Sequence, residues 1–215
     1  MTGNIETEIK QLISKNSFKK LYAYFIEKGS KPCVTRQVNY YFDSPDLSRH
    51  YGSLNIRIRL INETAELTCK VPIRERTNKD VISSHEYNAR LSPAEAHQYI
   101  EKGLSAADIE NHFASIPEFQ SYELYDTICY GRLRTTRIAF TIREGLPPLL
   151  MDINRYLGTV DYEIEWELEQ TDDALLLLNS LFTNLGIQKA GKAEPKRMRF
   201  FRALEKIRQD ASAGR

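Results

Sequence analysis

The sequence predicts an α+β fold: a closed antiparallel barrel of about eight strands around a polar tunnel, covered on its outside by helices. Three observations point there. At least five segments alternate strictly between an apolar and an ionisable face, so both faces of the sheet are specified. The helical segments between them are amphipathic and need an apolar sheet surface to cover. Glu163, Glu165, Glu167 and Glu169 stand at alternate positions of one segment. A solvated face would not reward that arrangement, because like charges repel. An open sheet with one wet face is the commoner use of such alternation, but closure with the charges inside accounts better for the whole set.

The elements follow in order. "IETEIK" sets Ile5, Thr7 and Ile9 against Glu6, Glu8 and Lys10, the period of a strand. Ser17 is then placed to cap a helix through "SFKKLYAYFIEKG", with Phe18, Leu21, Tyr22 and Phe25 on one face and Gly29 ending it. "TRQVNYYFDSPDLS" reads as a strand broken at Asp43-Ser44-Pro45, with Tyr40 and Tyr41 divided between core and lumen. "LNIRIRLI" opposes Leu54, Ile56, Ile58 and Leu60 to Asn55, Arg57 and Arg59. "AELTCKVP" opposes Ala65, Leu67 and Cys69 to Glu66, Thr68 and Lys70, and Asn62-Glu63-Thr64 joins the two as a hairpin. "VISSHEYNARL" is a strand whose facing its pattern does not fix. Two helices follow, capped by Ser92 and Ser105.

The second half repeats the style. "YELYDTICYGRLRTTRIAFTIRE" reads as two strands around Gly131, the second carrying Arg137. "PLLMDINRYLG" opposes Leu149, Met151 and Ile153 to Leu150, Asp152 and Asn154. "DYEIEWELEQ" puts Tyr162, Ile164, Trp166 and Leu168 opposite the glutamates, so Trp166 belongs under a helix. Asp172 caps a Leu-rich helix closed by Gly186, and Pro195 opens a basic C-terminal helix. One domain over residues 1–207 is expected, with 208–215 a frayed tail.

Composition narrows the partners. The 215 residues carry 30 Lys+Arg against 29 Asp+Glu, net +1, so no global field favours nucleic acid or an anionic membrane. Cys33, Cys69 and Cys129 are widely spaced and read as reduced thiols. No apolar run reaches a membrane span and no leader pattern opens the chain, so a cytoplasmic location is expected. His50, His85, His97 and His112 are scattered and read as surface or core residues.

The charged strand faces therefore meet in the lumen. Carboxylates from the first and last strands repel one another unless a cation lies between them, and hard divalent ions such as Mg²⁺ or Mn²⁺ take such oxygens. Arginine forks and lysine ammonium groups at this density suit the oxygens of a multiply charged phosphate chain.

The same residues resemble a known family. "IETEIK" is similar to the ExExK signature of the CYTH domain, the triphosphate tunnel metalloenzymes, which include class IV adenylyl cyclases, thiamine triphosphatases and inorganic triphosphatases. The resemblance continues in order through "NYYFDSPD", "LNIRIR", "TCKVP", "TTR", "LLMDINRYLG", "DYEIEWELE" and "PKRMRFF", from Glu6 to about Phe201, and is nearest to a bacterial subgroup. It implies an eight-stranded antiparallel barrel enclosing a tunnel, with Mg²⁺ or Mn²⁺, two ions, needed for activity. It makes Glu6, Glu8, Glu163 and Glu165 metal ligands and places Asp152 at an acidic position of the wall. Glu167 would assist directly or through water. Lys10, Arg57, Arg59, Lys70 and Arg137 would hold phosphates, and Lys196 would close over them from the C-terminal helix, with Lys192 its rival. Lys70 and Lys196 are the candidates for the leaving or transferred oxygens. The chain departs from the pattern at Arg132 and Arg134, out of phase with Arg137 unless a bulge turns one inward, and at Glu86, whose phase is unmatched. The expected activity is metal-dependent hydrolysis of the terminal phosphoanhydride of a triphosphate. The alternatives are conversion of ATP to cyclic AMP and pyrophosphate, and non-catalytic binding of polyphosphate or nucleotide. The partner expected is a small phosphate-chain substrate, without nucleic acid or membrane; a homodimer stays open.

Overall fold

The computed structural model describes residues 2–48, 54–73, 81–142, 144–168, 172–191 and 194–213. Its strands are β1 (Thr2–Ile13), β2 (Cys33–Asp43), β3 (Asn55–Ile61), β4 (Thr64–Pro72), β5 (Val81–Leu91), β6 (Ile128–Phe140), β7 (Leu149–Tyr156) and β8 (Thr159–Glu167). They close in the order β1-β5-β4-β3-β2-β6-β7-β8, every pair antiparallel. Closure leaves no free sheet edge. The helices are α1 (Lys15–Glu27), α2 (Pro93–Lys102), α3 (Ala106–Phe113), α4 (Asp172–Leu185) and α5 (Lys196–Ala213), with a 3₁₀ turn at Pro117–Ser121. No described helix is long and apolar enough to cross a membrane.

Local chemistry explains the joints. β3 and β4 meet at Ile61 and Thr64, so the turn is Asn62-Glu63; Asn62 takes φ +52, a conformation asparagine tolerates better than most residues. β7 and β8 turn through Leu157 and Gly158, at φ +44 and +77. Ser92 and Ser105 cap α2 and α3, each within a complete capping box. The first helix starts one turn earlier than its sequence suggests. Ser14 is the cap and accepts a hydrogen bond from the Ser17 N–H at 3.1 Å, leaving Ser17 inside the first turn. Asp172 is the first residue of α4, and the residues just before it lie outside the described ones. α5 runs on to Ala213, so most of the segment 208–215 is helical where a frayed tail was expected.

A further correction concerns β6. It is one continuous strand and not two, because Gly131 sits at a bulge rather than a break: Tyr41 pairs with Gly131 and Phe42 with Cys129, leaving Tyr130 extra. Gly131 has φ +138, and a Cβ there would stand 3.0 Å from Cζ of Phe200. Glycine alone fits. The bulge lies before Arg132 and Arg134, which both stay exposed on the outside of the barrel.

Two apolar layers clothe the barrel. α1 and α4 cover β1, β7, β8 and the end of β6 with Phe18, Leu21, Phe25, Leu178 and Phe182 packed on Met151, Ile164 and Trp166. Trp166 is fully buried, and its Nε1 donates to the Pro147 carbonyl at 2.9 Å. α2, α3 and the 3₁₀ turn cover β3, β4 and β5 with Ala96, Ile109, Phe113 and Phe119 on Ile58, Leu67 and Tyr87. Each large side chain so buried contributes about 1.5–3 kcal/mol. A third cluster sits across one end of the lumen, where Phe200 and Phe201 of α5 meet the inward-facing Tyr41, Leu133 and Tyr156. α5 is thus a plug.

Candidate active site

With apolar residues turned out to the helices, the alternate residues of every strand must turn in. They line a cavity of about 860 Å³ that includes Glu6, Glu8, Lys10, Arg57, Arg59, Lys70, Arg137, Glu165, Glu167 and Lys196. β1 and β8 pair directly, which sets Glu8 opposite Glu167, Lys10 opposite Glu165 and Leu12 opposite Glu163. Asp152 of β7 stands opposite Glu163 on one side and Arg137 on the other. Asp152 and Glu163 are fully buried and sit deeper than the cavity lining. Glu167 stands at the rim, exposed.

The deep end is an acidic centre filled by cations. Oxygens of Asp152, Glu163 and Glu165 lie within 4.8 Å of one another. Lys196 places Nζ 2.8, 2.9 and 2.7 Å from them in that order. Lys10 reaches Glu165 at 2.7 Å and Glu8 at 2.9 Å. Arg137 forks onto Asp152, with Nε donating at 2.9 Å and Nη2 at 2.7 Å, and also contacts Glu165. Arg199 holds Glu163 from α5 at 2.9 Å and Asp161 at 3.0 Å. Burial alone would push Glu163 up, but Lys196 and Lys10 outweigh it and hold this carboxyl at about 2. Glu165 is driven well below the ordinary range in the same way, with burial opposed chiefly by Lys10 and Lys196. Burial likewise opposes the Lys10 and Lys196 charges, and the carboxylates around them more than compensate.

The other half of the lumen has the opposite imbalance. β5, undecided from its pattern, turns Ser84, Glu86 and Asn88 inward, so Glu86 belongs to the site. Lys70 bridges Glu6 and Glu86. Burial raises the Glu6 carboxyl to about 7 against the pull of Lys70, with Glu86 and Glu8 adding to the rise. Arg57 approaches Glu86 at 3.5 Å, yet its Nε and Nη2 are buried without a hydrogen bond. Arg59 donates to Asn39 at 3.4 Å and is pushed down to about 10 by burial and by the neighbouring Arg57 charge. Two guanidinium groups thus stand side by side, with Glu86 near Arg57 and Glu66 across the strand pair from Arg59, and their unbonded donors suit an anion's oxygens.

The donor set fits a hard dication. Every candidate ligand is a carboxylate oxygen, and Glu6 is a half-buried acid with a raised pKa, whose proton a divalent ion would displace. All of the residues expected at the site are brought to this lumen or to its buried floor, except Lys192, which lies outside the described residues. Three partners were missed: Arg199 on Glu163, Arg197 on Asp43 and Asn55, and Asn154, which donates to Asp161 at 2.9 Å and Glu163 at 3.3 Å. The basic run "KRMRFF" was the signal for the first two, but an arginine is ordinarily a surface residue and its sequence does not mark it as buried.

Comparison with known proteins agrees with this geometry. The family model described as "CYTH domain" matches residues 4–195. YjbK of Bacillus subtilis (strain 168), a candidate triphosphatase, is 28% identical over 214 residues, covering 96% of this chain and 99% of its own. A candidate adenylate cyclase from Bacillus halodurans superposes with a TM-score of 0.70 at 27% identity, over 94% of this chain and all of its own. HpAC1 from Hippeastrum, a candidate adenylyl cyclase reported to have a dominant triphosphatase activity, superposes with a TM-score of 0.74 at 20% identity, over 91% of this chain and 94% of its own, and that likeness concerns the fold.

Proposed function

This chain belongs to the CYTH domain family, and from that premise we propose that it is a metal-dependent triphosphatase that cleaves the terminal phosphoanhydride of a small triphosphate. One observation carries the reading. A single enclosed lumen pairs an all-oxygen acidic centre with two adjacent half-buried arginines, Arg57 with its Nε and Nη2 free of hydrogen bonds and Arg59 with one long bond to Asn39. A phosphate chain supplies what the arginines want, and the carboxylates supply what its counter-ions want. The name of YjbK points the same way.

Glu6, Glu8, Glu163 and Glu165, with Asp152, would hold Mg²⁺ or Mn²⁺, two ions in this reading. Bound there, the metal would polarise phosphate oxygens and lower the pKa of an attacking water. The chain's own residues do the rest. Arg57 and Arg59 grip one end of the phosphate chain, with the fork geometry that suits its oxygens. Lys70, fixed between Glu6 and Glu86, points its ammonium into the cavity, where it can neutralise charge on the transferred or leaving oxygens. Lys10 and Arg137, both held at the acidic centre by Glu165, meet the end of the phosphate chain that reaches it. Glu167 at the rim assists directly or through water.

The same clamp could present ATP with its α-phosphorus toward the ribose 3′-hydroxyl, the reading suggested by the cyclase name of the Bacillus halodurans relative. Incubation with Mg²⁺ or Mn²⁺ and inorganic triphosphate, ATP or thiamine triphosphate decides. Orthophosphate release is expected. Cyclic AMP with pyrophosphate would replace the hydrolase reading by the cyclase one, and tight binding without turnover would replace both by a binder.

A further inference from the structure

Lys196 occupies the one place where Asp152, Glu163 and Glu165 converge. Its Nζ is 2.8, 2.9 and 2.7 Å from one oxygen of each, which is a three-point cradle for a cation. The three oxygens lie within 4.8 Å of one another, so the cradle has room for one positive centre and not two. The surrounding charges are already close to balance. Lys10, Arg137, Lys196 and Arg199 face Glu8, Asp152, Asp161, Glu163 and Glu165, four cations against five carboxylates. A dication added alone would leave this pocket with excess positive charge, and it would have to evict an ammonium whose side chain is only 10% exposed from the carboxylates that stabilise it.

We propose that Lys196 is a built-in competitor of the metal, so that this enzyme takes up metal far better with the phosphate chain than without it. The inference rests on the metal-dependent reading above and concerns how the same site is controlled. The phosphate chain resolves the conflict on both counts. Its negative charge offsets the incoming dication, and its oxygens give the displaced Lys196 ammonium a new partner. Lys196 is the first residue of α5, next to Pro195, and both border the cavity. The ammonium can therefore swing from floor to lumen by rotating its own side chain and the first turn of the plug helix, while Phe200 and Phe201 stay anchored against Tyr41 and Leu133. By linkage, whatever the phosphate chain gains from the metal, the metal gains from the phosphate chain. Free metal ion alone would then leave the protein largely unloaded.

The test measures Mn²⁺ binding by the full chain, by calorimetry and by the loss of free-ion electron paramagnetic resonance signal, with and without a non-hydrolysable methylene-bridged triphosphate. In the unaltered protein the analogue should tighten Mn²⁺ binding about 5- to 150-fold, the usual span of coupling between two ligands. In Lys196→Met, Mn²⁺ alone should bind tighter by a similar factor, and the analogue should then add little. Hydrogen exchange on the unaltered protein gives a readout that needs no variant: Mn²⁺ alone should deprotect the first turn of α5, and the analogue with Mn²⁺ should restore it. Unchanged or weaker Mn²⁺ binding by Lys196→Met, or a first turn that Mn²⁺ alone leaves as protected as before, would overturn the role of Lys196 while keeping the metal reading. Failure of both proteins to bind Mn²⁺ under any condition would overturn the two together.

Discussion

Replacing Arg59 by glutamine should weaken the enzyme and strengthen the fold. Arg59 sits beside Arg57 on β3 with one long hydrogen bond to Asn39, and burial with the Arg57 charge depresses its pKa from the ordinary guanidinium range to about 10. A base whose folded pKa lies below its unfolded one is charged at a cost at neutral pH, and that cost persists until the pH exceeds the folded value. At 1.36 kcal/mol per unit the depression corresponds to about 3 kcal/mol at most. Water in the cavity screens part of it, so about 1–2 kcal/mol is the reasonable gain for Arg59→Gln, which keeps a polar head for Asn39. For a chain of this size that is roughly 2–8 °C in the thermal midpoint of the metal-free protein. Activity should move the other way. A charge-assisted hydrogen bond to phosphate is worth about 1.5–3 kcal/mol, so kcat/KM for triphosphate should fall roughly 10- to 150-fold. Thermal unfolding and steady-state kinetics on one preparation read both. A variant that is less stable than the parent, with KM and kcat unaltered, would refute the idea that Arg59 waits for an anion.

Other outcomes follow from the same charges. Glu163→Ala takes one of three carboxylates from Lys196 and one of two from Arg199, and should cost stability in urea unfolding, up to about 3 kcal/mol, along with activity. Stability should also depend on pH in two opposed ways. Glu163, at about 2 when folded against 4.5 ordinarily, contributes stability above 4.5 that is lost as the pH falls toward 2. Glu6, raised to about 7, contributes stability that is complete below 4.5 and lost as the pH rises through 7. Metal-free thermal midpoints should therefore peak in mild acid, and Glu6→Gln should flatten the neutral limb alone. Mn²⁺ affinity should climb as the pH rises toward 7, because binding releases the Glu6 proton. Gly131→Ala, with φ +138 and Phe200 at 3.0 Å, should cost about 1–3 kcal/mol and loosen α5, detectable as faster hydrogen exchange in its first half.

Much of the fold was legible because a strand that is wet on one side and dry on the other writes a period of two. β1, β3, β4, β7 and β8 all do so, and their inward residues are the ones that line the lumen or its floor. β5 was not readable in this way. Ser83, His85 and Tyr87 face out while Ser84, Glu86 and Asn88 face in, so polarity does not alternate, and Glu86 could be assigned only once its neighbours were in register. Gly131 suggested a break because glycine marks both turns and bulges, and only the pairing with Tyr41 separates the two. Ser14 and Ser17 are both competent caps three residues apart, and backbone conformation chose the earlier. The pairing of the lumen charges was the least visible part. Which ammonium meets which carboxylate depends on barrel stagger and on the placement of α5, and no local pattern encodes either.

The direct pairing of β1 with β8 has a consequence for synthesis of the protein. Glu6, Glu8 and Lys10 emerge from the ribosome early, while their neighbours Glu163, Glu165 and Lys196 are still to be translated. A nascent chain halted before β8 holds an acidic half-site with no wall to face it. The barrel's sealing seam is its longest-range contact in sequence, and such contacts tend to make folding slow. Competence for chemistry thus waits on the synthesis of β8 and α5.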